Sequence, residues 1–306
     1  MISASIWKHE RFGEIMNVRA YAKLNLTLDV IARREDGYHD LRMVMQTVDL
    51  VDTLTLSEIE QEGIRVSTNL RYLPGDERNL AAIAAKKFWE INGCNGKGLV
   101  IDLQKKIPVC AGMGGGSADA AAVLRALNEL SGLNLPVQQL AQIGEQVGSD
   151  VPYCVLGGTA LAEGRGERLT ALSPLPDCHI VICKPSFSIS TPELFGCIDC
   201  RKIRCRPDTE GIIMALQNGD LAGVARRLYN VFEDVLTERR GGEIAEIKNE
   251  LISCGALGAA MSGTGPTVFG IFDDADQAYN AFQSLKDHYS DTFLTRPVNT
   301  NFNSLV

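Results

Sequence analysis

The sequence is poor in the residues and motifs on which many hydrolases depend. It contains neither a G-x-S-x-G nor an H-E-x-x-H motif, which would indicate a nucleophilic serine or a zinc-binding helix. The chain has only four histidines, namely His9, His39, His179 and His288. Serine-triad hydrolysis and zinc-dependent hydrolysis therefore lose support.

Positive charge is also scarce. The chain has 30 Lys and Arg against 38 Asp and Glu, a formal net charge of -8 and a pI near 5.2. A protein that must neutralise a nucleic-acid backbone needs the opposite balance. We therefore expect a small-molecule partner and no nucleic acid.

A long apolar run is missing from the beginning of the chain. The first fifteen residues, "MISASIWKHERFGEI", carry charges and fit neither a secretion signal nor a membrane span. Nine cysteines are scattered along the chain, several within strand-like runs such as "HIVICKPSF", which suits buried, reduced thiols. We expect a cytoplasmic protein without a membrane partner, in which residues 1–15 are an extension if Met16 is an alternative start.

Three cysteines in "CIDCRKIRC", Cys197, Cys200 and Cys205, have a spacing that raises the hypothesis of a metal site. Structural zinc normally takes four ligands, and no second cysteine pair or nearby histidine completes the set. Buried or loop thiols are the favoured interpretation. The basic residues of the same stretch fit a solvated loop better than a phosphate site; they are Arg201, Lys202, Arg204 and Arg206.

The order of elements predicts an α+β protein with two domains. A chain of 306 residues, 45% hydrophobic, is long enough for about two domains, and the proline-containing "LSPLPD" at 172–177 indicates a boundary after residue 172. The remainder has the strand and helix order β-α-β-β-α-β, which is the ferredoxin-like split βαβ arrangement.

In the first domain, apolar residues at the even positions of 18–30 predict a half-buried strand that places Lys23 and Asn25 together on the face opposite the core. Helices are predicted over 79–92, after the glycines of 114–116, and over 136–148. Asp150 then lies in a loop. By chemistry alone, Asp150 is a candidate proton acceptor and Lys23 a candidate phosphate partner, but a turn aspartate and a solvated lysine are the alternatives.

The glycine run lies in "IPVCAGMGGGSADAAAVLRALNEL", residues 107–130, just before a helix. Unpaired N–H groups at a helix N-terminus suit a phosphate. The run is not a Walker A loop, because no lysine follows it, and Ser117 occupies the last glycine position of a G-x-G-x-x-G pattern begun at Gly112. A tight turn that binds nothing is the alternative. A second glycine stretch, "MSGTGPTVFG" at 261–270, fits either a hairpin turn or the far side of an interdomain cleft.

Four stretches together resemble the GHMP small-molecule kinases: "AKLNL" at 22–26, the glycine run, "GSDVP" at 148–152 and "MSGTGPTVF" at 261–269. Within this family, "REDGYHDL" at 34–41 is similar to the branch that phosphorylates the 2-hydroxyl of a cytidine-diphosphate-linked methylerythritol, in non-mevalonate isoprenoid synthesis. The resemblance implies ATP and Mg²⁺ as cofactors. It also implies an N-terminal ATP-binding domain of the ribosomal-protein type over 1–172 and a C-terminal domain over 173–306.

The resemblance also implies roles for individual residues. Asp150 is expected to be the general base and Lys23 its partner. The residues expected to bind ATP are Pro108, Gly112, Gly114, Gly115, Gly116 and Ser117. Tyr38 and Phe195 are expected to stack on cytosine and His39 to hydrogen-bond it. The full set expected to bind substrate is Asn25, Tyr38, His39, Thr191, Phe195, Thr264 and Gly265.

Two positions depart from the family pattern. Tyr21 replaces a proline of the first motif, and Ala118 replaces a serine after the glycines. The metal ligands are therefore open, with Ser117, phosphate oxygens and water as candidates. A kinase for mevalonate-like or homoserine-like alcohols and a non-catalytic nucleotide- or RNA-binding module remain alternatives, and we expect a monomer or a homodimer.

Overall fold

The computed structural model describes residues 15–93, 98–200, 203 and 205–299. The strands are β1 (Ile15–Arg33), β2 (His39–Ile59), β3 (Gly63–Thr68), β4 (Gly98–Gln104), β5 (Thr159–Gly164), β6 (Arg168–Ala171), β7 (His179–Lys184), β8 (Tyr229–Asn230), β9 (Gly258–Met261), β10 (Val268–Phe272) and β11 (Asp291–Thr295). The helices are α1 (Leu80–Asn92), α2 (Gly115–Leu130), α3 (Val137–Glu145), α4 (Val151–Leu156), α5 (Thr191–Cys200), α6 (Thr209–Gln217), α7 (Leu221–Ala225), α8 (Glu238–Ser253) and α9 (Ala275–Lys286), with a 3₁₀ turn at Val231–Val235.

The strands form two sheets. The first has seven strands, with β3, β4, β2, β1 and β8 side by side, β5 paired with β2, and β6 paired with β5. The second has four strands in the order β11, β7, β10, β9, and every neighbouring pair is antiparallel. This strand order is that of the split βαβ arrangement, which the sequence predicted for the second half of the chain.

The second half of the chain also returns to the first sheet. Strand β8 pairs in parallel with β1 through Thr27 and Leu28, and Pro297 forms an isolated bridge with Val48. The boundary after residue 172 stays a prediction, although the chain passes from the first sheet to the second between Ala171 and His179.

Local chemistry accounts for the helices that frame the site. Asn79 caps α1 by accepting a hydrogen bond from the Ala81 N–H, and Gly93 ends it in the left-handed conformation. Helix α2 buries a stripe of small residues against α1 and β1; these are Ala118, Ala120, Ala121, Ala122 and Ala126. Small side chains allow close packing, so the N-terminus of α2 is held firmly against the sheet.

The structure differs from the predictions at two places. The face of β1 that carries Lys23 and Asn25 is buried, because Gly114 of the glycine run and Asp150 lie against the Lys23 side chain, so β1 is not a half-buried strand there. Asp150 lies, as predicted, in the turn after α3, but this turn leads directly into α4, a short helix that was not predicted. Within the described residues, no helix is long and apolar enough to cross a membrane.

Candidate active site

A cavity of about 880 Å³ lies where loops from both sheets meet. Most of the predicted site residues line it. They are Lys23, Tyr38, His39, Gly112, Gly114, Ser117, Asp150, Thr191, Phe195, Thr264 and Gly265. Residues separated by more than 200 positions in the sequence are thus brought to one cavity.

The predicted catalytic pair meets in this cavity. Lys23 Nζ lies 3.5 Å from Asp150 Oδ2 and donates a hydrogen bond to Asn25 Oδ1 at 2.7 Å. The Lys23 side chain is only 5% exposed, whereas that of Asp150 is 33% exposed. Asn25 is itself held by a contact of 3.3 Å from its Nδ2 to Met43 Sδ. Asn25 therefore fixes the Lys23 ammonium group, whereas the Asp150 carboxylate faces the open cavity.

The two glycine loops are joined at Ser262. Its hydroxyl donates to the Gly112 carbonyl at 2.9 Å and accepts from the Asn25 N–H at 3.2 Å. Gly112 has φ 75°, and a Cβ placed there would lie 2.1 Å from the Ser262 carbonyl oxygen, so only glycine fits. One serine thus connects the catalytic strand, the first glycine loop and the second glycine loop.

A second cavity of about 490 Å³ opens on the other side of the first glycine loop. All six residues predicted to bind ATP line it, and Gly112, Gly114 and Ser117 line both cavities. Gly114 is the N-terminal cap residue of α2, in the left-handed conformation, and because it has no side chain it does not bond to the first N–H groups of the helix. The N–H groups at the start of α2 are therefore available for an anion at the junction of the two cavities.

The far end of the larger cavity is aromatic. The rings of His39 and Phe195 stack with centroids 4.7 Å apart, and Phe232 meets Phe195 edge-on at 5.0 Å. Tyr38 is 55% exposed and faces the guanidinium of Arg165. One face of the Phe195 ring, which was expected to stack on a base, carries the His39 ring in this structure. Nearby, the hydroxyls of Thr191 and Thr264 are 2.9 Å apart.

A buried charge cluster supports the first glycine loop from behind. Lys105 Nζ contacts Asp52 Oδ2 and lies 2.7 Å from Asp119 Oδ2, and all three side chains are nearly inaccessible. Burial raises the pKa of Asp119 to about 7, with Lys105 opposing this and Asp52 adding to it. Burial opposes the charge of Lys105, but the two carboxylates outweigh it and raise the pKa of Lys105. The cluster ties β2 to the second turn of α2.

Comparison with known proteins agrees with this architecture. Models of the N-terminal and C-terminal domains of GHMP kinases match residues 79–158 and 212–291. A protein of Clostridium botulinum (strain Eklund 17B / Type B) named 4-diphosphocytidyl-2-C-methyl-D-erythritol kinase is 45% identical over 283 residues, which are 92% of this chain and 100% of that protein. This chain belongs to the GHMP kinase family.

Solved structures extend the comparison. A crystal structure of 4-(cytidine 5'-diphospho)-2C-methyl-D-erythritol kinase is 32% identical, with a TM-score of 0.78 over 93% of this chain and 100% of that one. A homoserine kinase from Cytophaga hutchinsonii is 21% identical, with a TM-score of 0.70 over 93% of this chain and 95% of that one, and shows the fold alone. The predicted two-domain α+β fold and the predicted class, an ATP-dependent small-molecule kinase, are confirmed.

Several residues of this GHMP kinase that shape the site were missed from the sequence. They are Arg165, Phe232, Ser262 and the Lys105, Asp52 and Asp119 cluster. Ser262 lies inside the recognised stretch at 261–269, so the sequence could have indicated it as a site residue. Asp52 and Arg165 belong to a strand and a turn without a distinctive local pattern, and nothing in their neighbourhood pointed to the site.

The cysteine hypothesis finds no support in the described part of this GHMP kinase. Cys197 and Cys205 are free thiols, and no group of three His, Cys, Asp or Glu among the described residues is arranged to hold a metal. The Cys200 side chain and the basic residues Arg201, Lys202 and Arg204 lie outside the described residues. Arg206 donates to Asp29 Oδ1 at 2.5 Å, an ion pair with β1.

Proposed function

We propose that this GHMP kinase transfers the γ-phosphoryl group of ATP to the 2-hydroxyl of 4-diphosphocytidyl-2-C-methyl-D-erythritol, producing the 2-phosphate and ADP. The observation that carries the proposal is the contact between Lys23 and Asp150 at the junction of the two cavities, beside the N-terminus of α2. The names of the Clostridium relative and of the 32% identical structure support this alcohol over a mevalonate-like or homoserine-like one.

At the reacting end, Asp150 accepts the proton of the substrate hydroxyl. The hydroxyl oxygen forms a bond to the γ-phosphorus, the bond from that phosphorus to the bridging oxygen breaks, and ADP leaves. Lys23 orients the Asp150 carboxylate and offsets the negative charge of the transferring group. Because Lys23 is fixed by Asn25, little rearrangement is needed before transfer.

ATP occupies the smaller cavity in this proposal, with Pro108 on its wall and its phosphates at Gly114, Gly115, Gly116 and Ser117. The unpaired N–H groups and the positive end of the α2 dipole offset phosphate charge. The γ-phosphate then points into the larger cavity, towards Asp150.

The residues present fit a magnesium ion that depends largely on phosphate and water. Ser117 lines both cavities and offers a hydroxyl, whereas Ala118 is buried and offers none. Mg²⁺ usually keeps several waters and takes one or two protein oxygens besides substrate phosphates. We therefore assign Ser117 as its protein ligand; when bound, the ion neutralises charge on the β- and γ-phosphates.

We place the cytosine at the aromatic end, beside Tyr38, His39 and Phe195. A base that stacks on Phe195 takes the position of the His39 ring, which then turns to hydrogen-bond the base edge. Thr191, Thr264 and Gly265 border the same cavity and contact the middle of the substrate.

The direct test is an assay of the purified protein with Mg-ATP and the cytidine-linked alcohol, followed by phosphorus NMR. The expected result is ADP together with a new phosphomonoester resonance. Mevalonate and homoserine are the matched control substrates. Phosphorylation of either control, without phosphorylation of the cytidine-linked alcohol, would show that the substrate assignment is wrong.

Size-exclusion chromatography of the same sample tests the prediction of a monomer or homodimer. Cytoplasmic location and the absence of a nucleic-acid partner also stay predictions.

A further inference from the structure

We propose that Arg165 recognises the diphosphate of the substrate and so makes this kinase selective for an alcohol attached to a nucleoside diphosphate. The inference rests on the proposed function and deepens it. Arg165 lies in the turn between β5 and β6 and lines the larger cavity. It belongs to neither glycine loop nor to the catalytic strand.

The turn that carries Arg165 contacts both ends of the cavity. Its guanidinium carbon lies 5.2 Å from the centre of the Tyr38 ring, at the aromatic end. The next residue, Gly166, packs on the backbone of Ser149: a Cβ on this glycine would lie 3.5 Å from the Ser149 carbonyl. Ser149 directly precedes Asp150. A substrate that spans the distance from Tyr38 to Asp150 therefore runs along the turn that carries Arg165.

Charge supports the same assignment. Three Lys or Arg side chains among the described residues line the cavity, namely Lys23, Arg33 and Arg165. Lys23 is buried and engaged with Asn25 and Asp150 at the reacting end. Arg33 lies opposite His39 in the pairing of β1 with β2, which places it at the aromatic end. Arg165 lies on the turn that reaches both Tyr38 and the residue before Asp150, so its turn contacts both ends of the cavity.

The Arg165 guanidinium can accept a new anionic partner at little cost. Its Nη2 group pairs with Glu145 at 3.1 Å, and the two side chains are 32% and 42% exposed. An ion pair exposed to this degree contributes little to stability, because water screens it. A guanidinium has five N–H donors in a planar fork, which matches the oxygens of a diphosphate. Replacing Glu145 by a diphosphate therefore exchanges a weak partner for a stronger one.

The test compares two probes, cytidine and cytidine 5'-diphosphate, which differ only in the phosphates. Isothermal titration calorimetry measures the affinity of each for the wild type and for Arg165→Met. We expect the wild type to prefer the diphosphate, and Arg165→Met to lose about tenfold to a hundredfold of that preference while binding cytidine as before. Arg165→Lys should recover part of it, because the charge remains but the fork is lost.

Two matched variants sharpen the result. Arg168→Met removes an exposed arginine from the same hairpin outside the cavity and should change neither affinity. Arg33→Met removes the rival cation; if it abolishes the diphosphate preference and Arg165→Met does not, the proposal is overturned while the proposed function stands. If the wild type binds neither probe, the cytidine-linked substrate is itself wrong and Arg165 loses its role with it. In steady-state assays, Arg165→Met should raise the KM for the alcohol and leave the KM for ATP unchanged.

Discussion

The two ends of the larger cavity are built differently. At the reacting end, Lys23 and Asn25 are buried on a central strand and held by hydrogen bonds. At the aromatic end, Tyr38 is mostly exposed and the His39 and Phe195 rings lie on each other. The difference indicates that catalytic geometry is fixed before substrate binds, whereas recognition of the base involves rearrangement of side chains. Variants at the two ends should therefore separate kcat from KM.

The largest effect is expected at the reacting end. Asp150→Asn removes the proton acceptor but keeps the size of the side chain, so kcat should fall by about a hundredfold to ten-thousandfold. The KM values should change by less than about threefold, because the amide fills the same space. Steady-state kinetics measure both. Asp102→Asn, an exposed change on β4, is the control and should be silent. A decrease in kcat of less than about tenfold, with an unchanged circular dichroism spectrum, would remove Asp150 from this role.

The next effect concerns the buried charge cluster behind the first glycine loop. Lys105→Met leaves the buried carboxylates of Asp52 and Asp119 without their cation, so the free energy of unfolding should fall by about 3–5 kcal/mol. Urea denaturation measures the loss. The adjacent Lys106 is exposed, and only its backbone N–H bonds to Asp52, so Lys106→Met is a close control. Equal stability of the two variants would contradict the assigned role of the buried cluster.

A smaller effect is expected at the aromatic end. Phe195→Leu removes a stacking surface and should raise the KM for the cytidine-linked alcohol about tenfold, with kcat nearly unchanged, because stacking on a base contributes about 1–3 kcal/mol. Tyr279→Leu, which removes an exposed aromatic ring from α9, should leave both constants unchanged. A decrease in kcat with an unchanged KM for the Phe195 variant would mean that the two ends are not separable.

The smallest effect is expected between the ends. Thr191→Val breaks the hydroxyl contact with Thr264, and kcat/KM should fall about twofold to tenfold, the range of one neutral hydrogen bond. Thr264→Val should cause a similar loss. If the contact itself is responsible, the double variant should lose little more than either single one. Fully additive losses in this kinetic cycle would show that each hydroxyl acts by itself.

The sequence predicted the parts of the site that depend on short-range pattern. The alternation along β1 correctly placed Lys23 and Asn25 on one face, and the glycine run correctly preceded a helix. The alternation was wrong about burial, because Gly114 and Asp150, roughly 90 and 130 residues further along the chain, lie against the Lys23 side chain on that face. Periodicity reports which residues share a face, but not what a distant segment lays over it.

The contacts at the aromatic end could not be predicted from the sequence, for a related reason. Stacking of His39 on Phe195 depends on where α5 packs relative to the start of β2, which tertiary packing decides. The meeting of Lys23 with Asp150 was predicted only through family resemblance, since the spacing of residues gives no distance between a strand and a later helix. Arg165 lies in the turn between β5 and β6, and no sequence pattern or motif marked it as a site residue.

The Ser262 junction has a consequence for anyone who recombines this kinase with its relatives. A Cβ at Gly112 would lie 2.1 Å from the Ser262 carbonyl oxygen, and a Cβ at Gly263 would lie 2.8 Å from the Gly112 carbonyl oxygen, so a side chain at either glycine would clash with the other loop. Exchanging one half of the chain for that of a homologue therefore requires that both glycines are kept. The two halves of the chain form separate sheets, but the two glycine loops that join them have to be exchanged together.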